Sequence, residues 1–230
     1  MSAEHRLEGG AGLYGKHPAF GDFISAGLGE GWRSFSDWAE AALGGWREAA
    51  GPDWQARFDA GPALCFWIGP ALAGQALHGQ ALRGAWIPSR DRTGRRFPLV
   101  VAQQGGAPPV LDPDGQFHQA ALAALARLAA LPGFEPREAV TGLELPPAQD
   151  IAPGWPTFWA VNPQMAPLDL LGQLAATDHA HAAAARSYWW FAGPEGDHAG
   201  VLACQGWPGP AELGWLIAGG QTEADEGQGD

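Results

Sequence analysis

The chain has 230 residues, among them 34 Gly, 20 Pro and 12 Trp. Its 46% hydrophobic and 17% charged content excludes a mainly disordered chain, which combines little apolar surface with much charge. The net charge of −12, from 25 acids against 13 bases, argues against nucleic acid and anionic membrane surfaces as main partners.

Four acids (Glu223, Asp225, Glu226 and Asp230) fall in residues 221–230, which read as a disordered, solvated tail after one domain spanning 1–220. Cys65 and Cys204 lie far apart in apolar segments and make no zinc spacing, so a reducing compartment is expected. The polar N-terminus has no secretory pattern, and no run of 18 apolar residues exists. These observations point to a cytoplasmic protein without membrane insertion.

In chain order, residues 12–16 and 19–24 read as short extended pieces around Pro18 and Gly21. The Ser34-x-x-Asp37 spacing predicts a helix N-terminus, and Phe35, Trp38, Ala42 and Trp46 then line one face. Gly51-Pro52 ends that helix, and a shorter one follows over 53–59. Residues 63–68, 82–87 and 97–102 read as strands, the last two as a hairpin across the charged turn PSRDRTGRR. Residues 115–131 form the clearest helix, with Phe117, Ala121, Leu125 and Leu128 on one face. The Pro-rich 134–154 stretch reads as a loop. A strand at 156–161 and a helix at 168–185 follow. Residues 187–192 and 199–204 form a second hairpin, and 210–218 a last short helix with Pro210 in its first turn. Strands paired in hairpins, with helices between them, predict a single α+β domain on a largely antiparallel central sheet flanked by helices.

Gly10, Gly12 and Gly15 spell G-x-G-x-x-G, and Gly15-Lys16 ends a P-loop-like run. A P-loop requires Ser or Thr next, where this chain has His17, and neither motif has its strand before and helix after. His179 and His181 are two apart in a helical reading, where ligand pairs need three or four. Together with Asp178 they read as a solvated helix edge. No pattern marks an activated nucleophile, so no catalytic residue, metal or cofactor is expected.

The sharpest feature is Ser89-Arg90-Asp91-Arg92-Thr93-Gly94-Arg95-Arg96-Phe97-Pro98-Leu99. Four of the thirteen basic residues fall within 90–96. Two readings stand together. Arg90, Arg92, Arg95 and Arg96 form a docking patch for carboxylate or phosphate. Alternatively, Asp91 pairs with an Arg to shape the turn, while Gly94 supplies a positive φ. Most tryptophans should be core, and any exposed ones, Trp32 or Trp207, would be interface anchors.

Gly12-Leu13-Tyr14-Gly15-Lys16-His17-Pro18, continuing to Gly21-Asp22-Phe23, resembles the opening of the type VI secretion-associated TagF/ImpM family. Pro88-Ser89, Asp91, Gly94-Arg95 and Phe97-Pro98-Leu99 are similar to that family's second block. Ser187-Tyr188-Trp189-Trp190 resembles a weaker third block. Residues 134–154 match no pattern of the family. The resemblance implies a cytoplasmic accessory protein that represses type VI secretion post-translationally. It would act through a forkhead-associated-domain scaffold protein, alongside a Thr kinase/phosphatase pathway. On this reading the four arginines are partner contacts, and Tyr14, Lys16 and Asp22 form a second surface. Gly15, Pro18, Gly21, Ser89, Asp91, Gly94, Phe97, Pro98, Trp189 and Trp190 are the structural motif. A hydrolase acting on a modified protein is one alternative, and it needs Lys16, Asp22, Asp91 and Arg95 to converge. A structural component of the secretion apparatus is the other.

Overall fold

Strand β3 (Leu64–Ile68) is buried at all five positions, as expected of a strand covered on both faces. Its side chains alternate between two cores. Leu64, Phe66 and Ile68 join the core that holds Phe35, Ala39, Ala42 and Trp46, whereas Cys65 joins Phe117, Ala121, Leu125 and Leu128. The computed structural model describes residues 10–112, 114–149, 178–192 and 199–220, with positions 164, 166 and 168.

Around β3 lie β1 (Ala11–Gly15), β2 (Ile24–Gly27), β4 (Leu82–Ile87), β5 (Leu99–Gln104), β6 (Arg186–Ala192) and β7 (Ala199–Gln205). They form one seven-stranded sheet in the order β2-β1-β5-β4-β3-β6-β7. Every adjacent pair is antiparallel. Helices α1 (Arg33–Ala50), α2 (Trp54–Asp59), α3 (Pro70–Ala73) and α6 (Pro210–Ile217) contribute to the first core. Helices α4 (Gln116–Ala129) and α5 (Pro136–Thr141) contribute to the second. The molecule is the α+β domain that the hairpin pattern predicts.

Three local expectations are corrected. Helix α1 does not use Ser34 as its cap: its N-cap is Trp32, with no side-chain cap bond. The chain already turns in a 3-10 segment over Gly29–Trp32, and the Arg33 N–H donates to the Glu30 carbonyl. Second, residues 19–23 are not extended. The Phe20 N–H donates to the His17 carbonyl at 3.0 Å and closes a turn over Pro18, so β2 begins only at Ile24. Third, 134–154 is not wholly loop. The Glu135 carboxylate accepts from the Glu138 N–H at 2.8 Å and caps α5, with Pro136 at its first position. Val140 of α5 is buried in the second core. The strand at 156–161, most of the 168–185 helix and the 221–230 tail lie outside the described residues; 178–183 is helical.

Among the described residues, the tryptophans are largely core. Trp32 is 3% exposed and Trp207 half-buried, stacked on Trp38 at 5.0 Å, so neither is a free surface anchor. Trp38 donates its indole N–H to the Pro208 carbonyl and Trp67 to that of Gly106. The indole N–H groups of Trp32 and Trp189 have no partner among the described residues. Among those residues, too, no helix is long and apolar enough to cross a membrane.

At the centre of the first core, Phe66 meets Phe35 at 5.3 Å and Trp189 at 5.0 Å. Gly84 on β4 makes room for it, because a Cβ there would strike the Phe66 ring and the Val101 carbonyl. On the other face, His118 Nε2 lies 3.2 Å from the Phe66 carbonyl oxygen. Burial pushes His118 down to about 4, the Phe66 carbonyl opposes that, and the Arg83 charge adds to it.

Two measurements follow from this packing. Phe66→Ala should lose about 3–5 kcal/mol in urea melts. A histidine whose folded pKa is depressed favours the unfolded chain once protonated. The contribution of His118 is therefore complete above its ordinary 6.5 and lost as pH falls from there towards about 4. That loss should be about 3 kcal/mol. His118→Gln should flatten the stability profile over that window, apart from the smaller effect of His17, which burial also lowers.

Candidate functional site

Strand β1 ends at Gly15, whose φ is +120°. A Cβ at that position would drive into the Pro98 carbonyl, so glycine lets β1 close on the start of β5. The Lys16 N–H then donates to the Pro98 carbonyl at 3.3 Å. The Lys16 side chain turns inward, and its Nζ lies 3.1 Å from Asp91 Oδ2.

Asp91 sits in the connection between β4 and β5, with its side chain fully buried. Its Oδ1 accepts from the Thr93 N–H at 2.9 Å, the Thr93 hydroxyl at 2.7 Å and the Arg95 N–H at 3.0 Å. Its Oδ2 accepts from Lys16 and, at 2.7 Å, from Arg95 Nε. A carboxylate offers about four lone-pair sites, so this one is saturated. Burial raises the Asp91 pKa. The bonds from Thr93, the Arg95 N–H, Lys16 and the Arg95 side chain outweigh it and hold the carboxyl far below the usual range.

The same loop is tied to the segment after β1. Arg95 Nη2 donates to the Gly21 carbonyl at 2.7 Å, and the Arg92 N–H donates to that of Phe20 at 2.7 Å. Gly94 takes φ +88° at the turn, and the Phe97 N–H returns to the Ser89 carbonyl at 3.1 Å. Phe97 packs edge-on against Phe23 at 4.8 Å and Tyr14 at 5.9 Å. Lys16 Nζ stands 4.8 Å over the Phe23 ring. The first two sequence blocks are thus one physical unit. Trp189 and Trp190 lie elsewhere, Trp189 in the first core and Trp190 against His118 at 4.5 Å.

The expected second surface is corrected in part. Tyr14 and Lys16 are buried, at 9% and 6% exposure, and so belong to the interior. Asp22 is exposed and outside the Asp91 cluster; its Oδ1 accepts the Phe23 N–H. Among the arginines, Arg95 is engaged with Asp91, and Arg96 grips Asp59 with two bonds, at 3.2 and 2.8 Å. Arg90 and Arg92 are exposed and have no carboxylate partner among the described residues. Asp59 is a participant the sequence did not mark, because nothing in a short helix signals a partner 37 residues away. Arg83 is another. It is buried, bonded to Gln103, and its guanidinium lies 4.1 Å over the Phe117 ring. Among the described residues, which include His179 and His181, no cluster of three or more potential metal ligands occurs.

Residues 12–140 match the family model of the TagF N-terminal domain, type VI secretion system-associated. This chain belongs to that family. The match spans both blocks joined at Asp91. The crystal structure of PA0076 from Pseudomonas aeruginosa PAO1 is similar, with a TM-score of 0.72 and 27% identity over 93% of this chain and 96% of that chain. No curated protein matches the sequence. The family likeness establishes association with type VI secretion.

The cluster orders the expected effects of substitution. Asp91→Ala leaves Lys16 buried without its carboxylate, and should lower the melting temperature more than any single arginine substitution in the loop. Arg96→Ala removes a partly exposed pair and should cost about 1 kcal/mol or less. A depressed carboxyl contributes fully above its ordinary pKa. The Asp91 contribution should therefore hold above about pH 4 and fall away below it. This acid loss should be absent in Asp91→Asn, already weaker at neutral pH.

Proposed function

We propose that this chain is a non-enzymatic, cytoplasmic accessory protein that represses type VI secretion post-translationally by binding a forkhead-associated-domain scaffold protein. The division of roles among the four loop arginines carries this reading. Arg95 and Arg96 are committed to Asp91 and Asp59, which leaves Arg90 and Arg92 facing solvent. The loop that presents them is fixed from inside by a saturated carboxylate. Little ordering therefore opposes binding when a partner engages them. Guanidinium forks suit carboxylate or phosphate on that partner.

The hydrolase alternative needs a polar cluster with a free base. Lys16, Asp91 and Arg95 do converge, but every acceptor site of Asp91 is filled by this chain's own donors. Asp22 stands apart. Both facts support a module that works by contact.

The test is a double charge reversal, Arg90→Glu with Arg92→Glu, assayed by capture of the forkhead-associated-domain scaffold protein of the same secretion system. Capture should weaken by about tenfold or more with an unchanged melting temperature. Undiminished capture would sink the proposal.

A further inference from the structure

A groove of about 170 Å3 lies beside α1 and α2, walled by Leu43, Trp54, Phe58 and Phe97. Arg47, Arg96 and Glu40 also line it. We propose that this groove docks an acidic segment of another protein, seating one leucine-sized side chain between flanking carboxylates. The inference rests on the binding-module reading above and names the surface and chemistry it uses.

Charge decides the occupant. Arg47 is exposed, lies 5.6 Å over the Trp54 ring and has no carboxylate partner among the described residues. Arg90 and Arg96 face each other across an isolated antiparallel bridge. Like charges directly opposite repel. Asp59 offsets Arg96, which lines the groove, whereas Arg90, its bridge partner, has no carboxylate partner among the described residues. An unmatched guanidinium in the lining, that of Arg47, with the unmatched Arg90 across the bridge from Arg96, fits an apolar side chain with acids beside it. Glu40 gives the site a direction. It stands two helical turns from Arg47 on α1, about 10 Å away, and repels a carboxylate placed at its own end.

The full chain is titrated with the acetylated pentapeptide Asp-Glu-Leu-Asp-Glu and, separately, with Lys-Lys-Leu-Lys-Lys. The readout is the Trp54 indole N–H resonance, assigned by Trp54→Phe. The acidic peptide should give a saturable shift, weakened about fivefold or more in Arg47→Glu and in Arg90→Glu, both with wild-type melting temperatures. No saturable shift, an equal response to the basic peptide, or undiminished binding in both variants overturns the proposal. Neutralising Glu223, Asp225, Glu226 and Asp230 together tests the chain's own acidic segment as occupant. Unchanged peptide affinity supports an external partner, and a clear rise overturns it. The titration contains no scaffold protein. Failed scaffold capture with intact peptide binding therefore counts against the functional reading alone.

Discussion

One buried carboxylate holds the loop end of this sheet together. Asp91 receives five hydrogen bonds from three residues, and one of those residues, Lys16, lies 75 positions away in the chain. Taking both charges out of water is costly, so the pair is tolerable only because every lone pair is met. The bond from Arg95 to the Gly21 carbonyl, and the bond from the Arg92 N–H to that of Phe20, extend the same clasp outward. The position of the exposed Arg90 and Arg92 is thus set by an interaction that neither side chain makes.

The two cores serve this arrangement differently. On the first face, Phe35, Phe66, Trp86 and Trp189 pack rings against one another beneath α1. That seats α1 on the sheet, with Leu43 and Arg47 beside Arg96 and Phe97 of the loop. On the second face, smaller residues of the sheet meet α4, among them Cys65 and Ala85. The Cys65 thiol there is pushed up to about 12 by burial, so it packs as an apolar group.

Much of the fold was legible because its signals are local. The β4–β5 and β6–β7 hairpins and α4 follow from alternation, a charged turn and a helical stripe. Helix α5 was missed although Glu135-Pro136-Arg137-Glu138 carries a cap and a first-turn proline, because the surrounding prolines masked a segment of six residues. The Ser34 cap misled for the opposite reason: the spacing was right, but the chain was already turning. At the site, Asp91 was marked as a turn-shaping residue and the structure agrees. Its bond to Lys16 was not readable, since sequence gives no distance between residues so far apart. Burial of Tyr14 and Lys16 was hidden likewise, because whether a residue in or just after β1 points in or out depends on what β5 brings against it.

The pairing of β1 with β5 has a consequence for how the chain folds. The β4–β5 hairpin is local and can form early, whereas β1 must return over some 85 residues, as in the pairing of Gly15 with Leu99. Until it arrives, Asp91 lacks its lysine. A slip of β1 by one position would turn its side chains to the opposite face and carry the ammonium away from the carboxylate. The Lys16–Asp91 pair thus serves as a register check, completed only when the longest-range strand pairing of the sheet's first half is aligned.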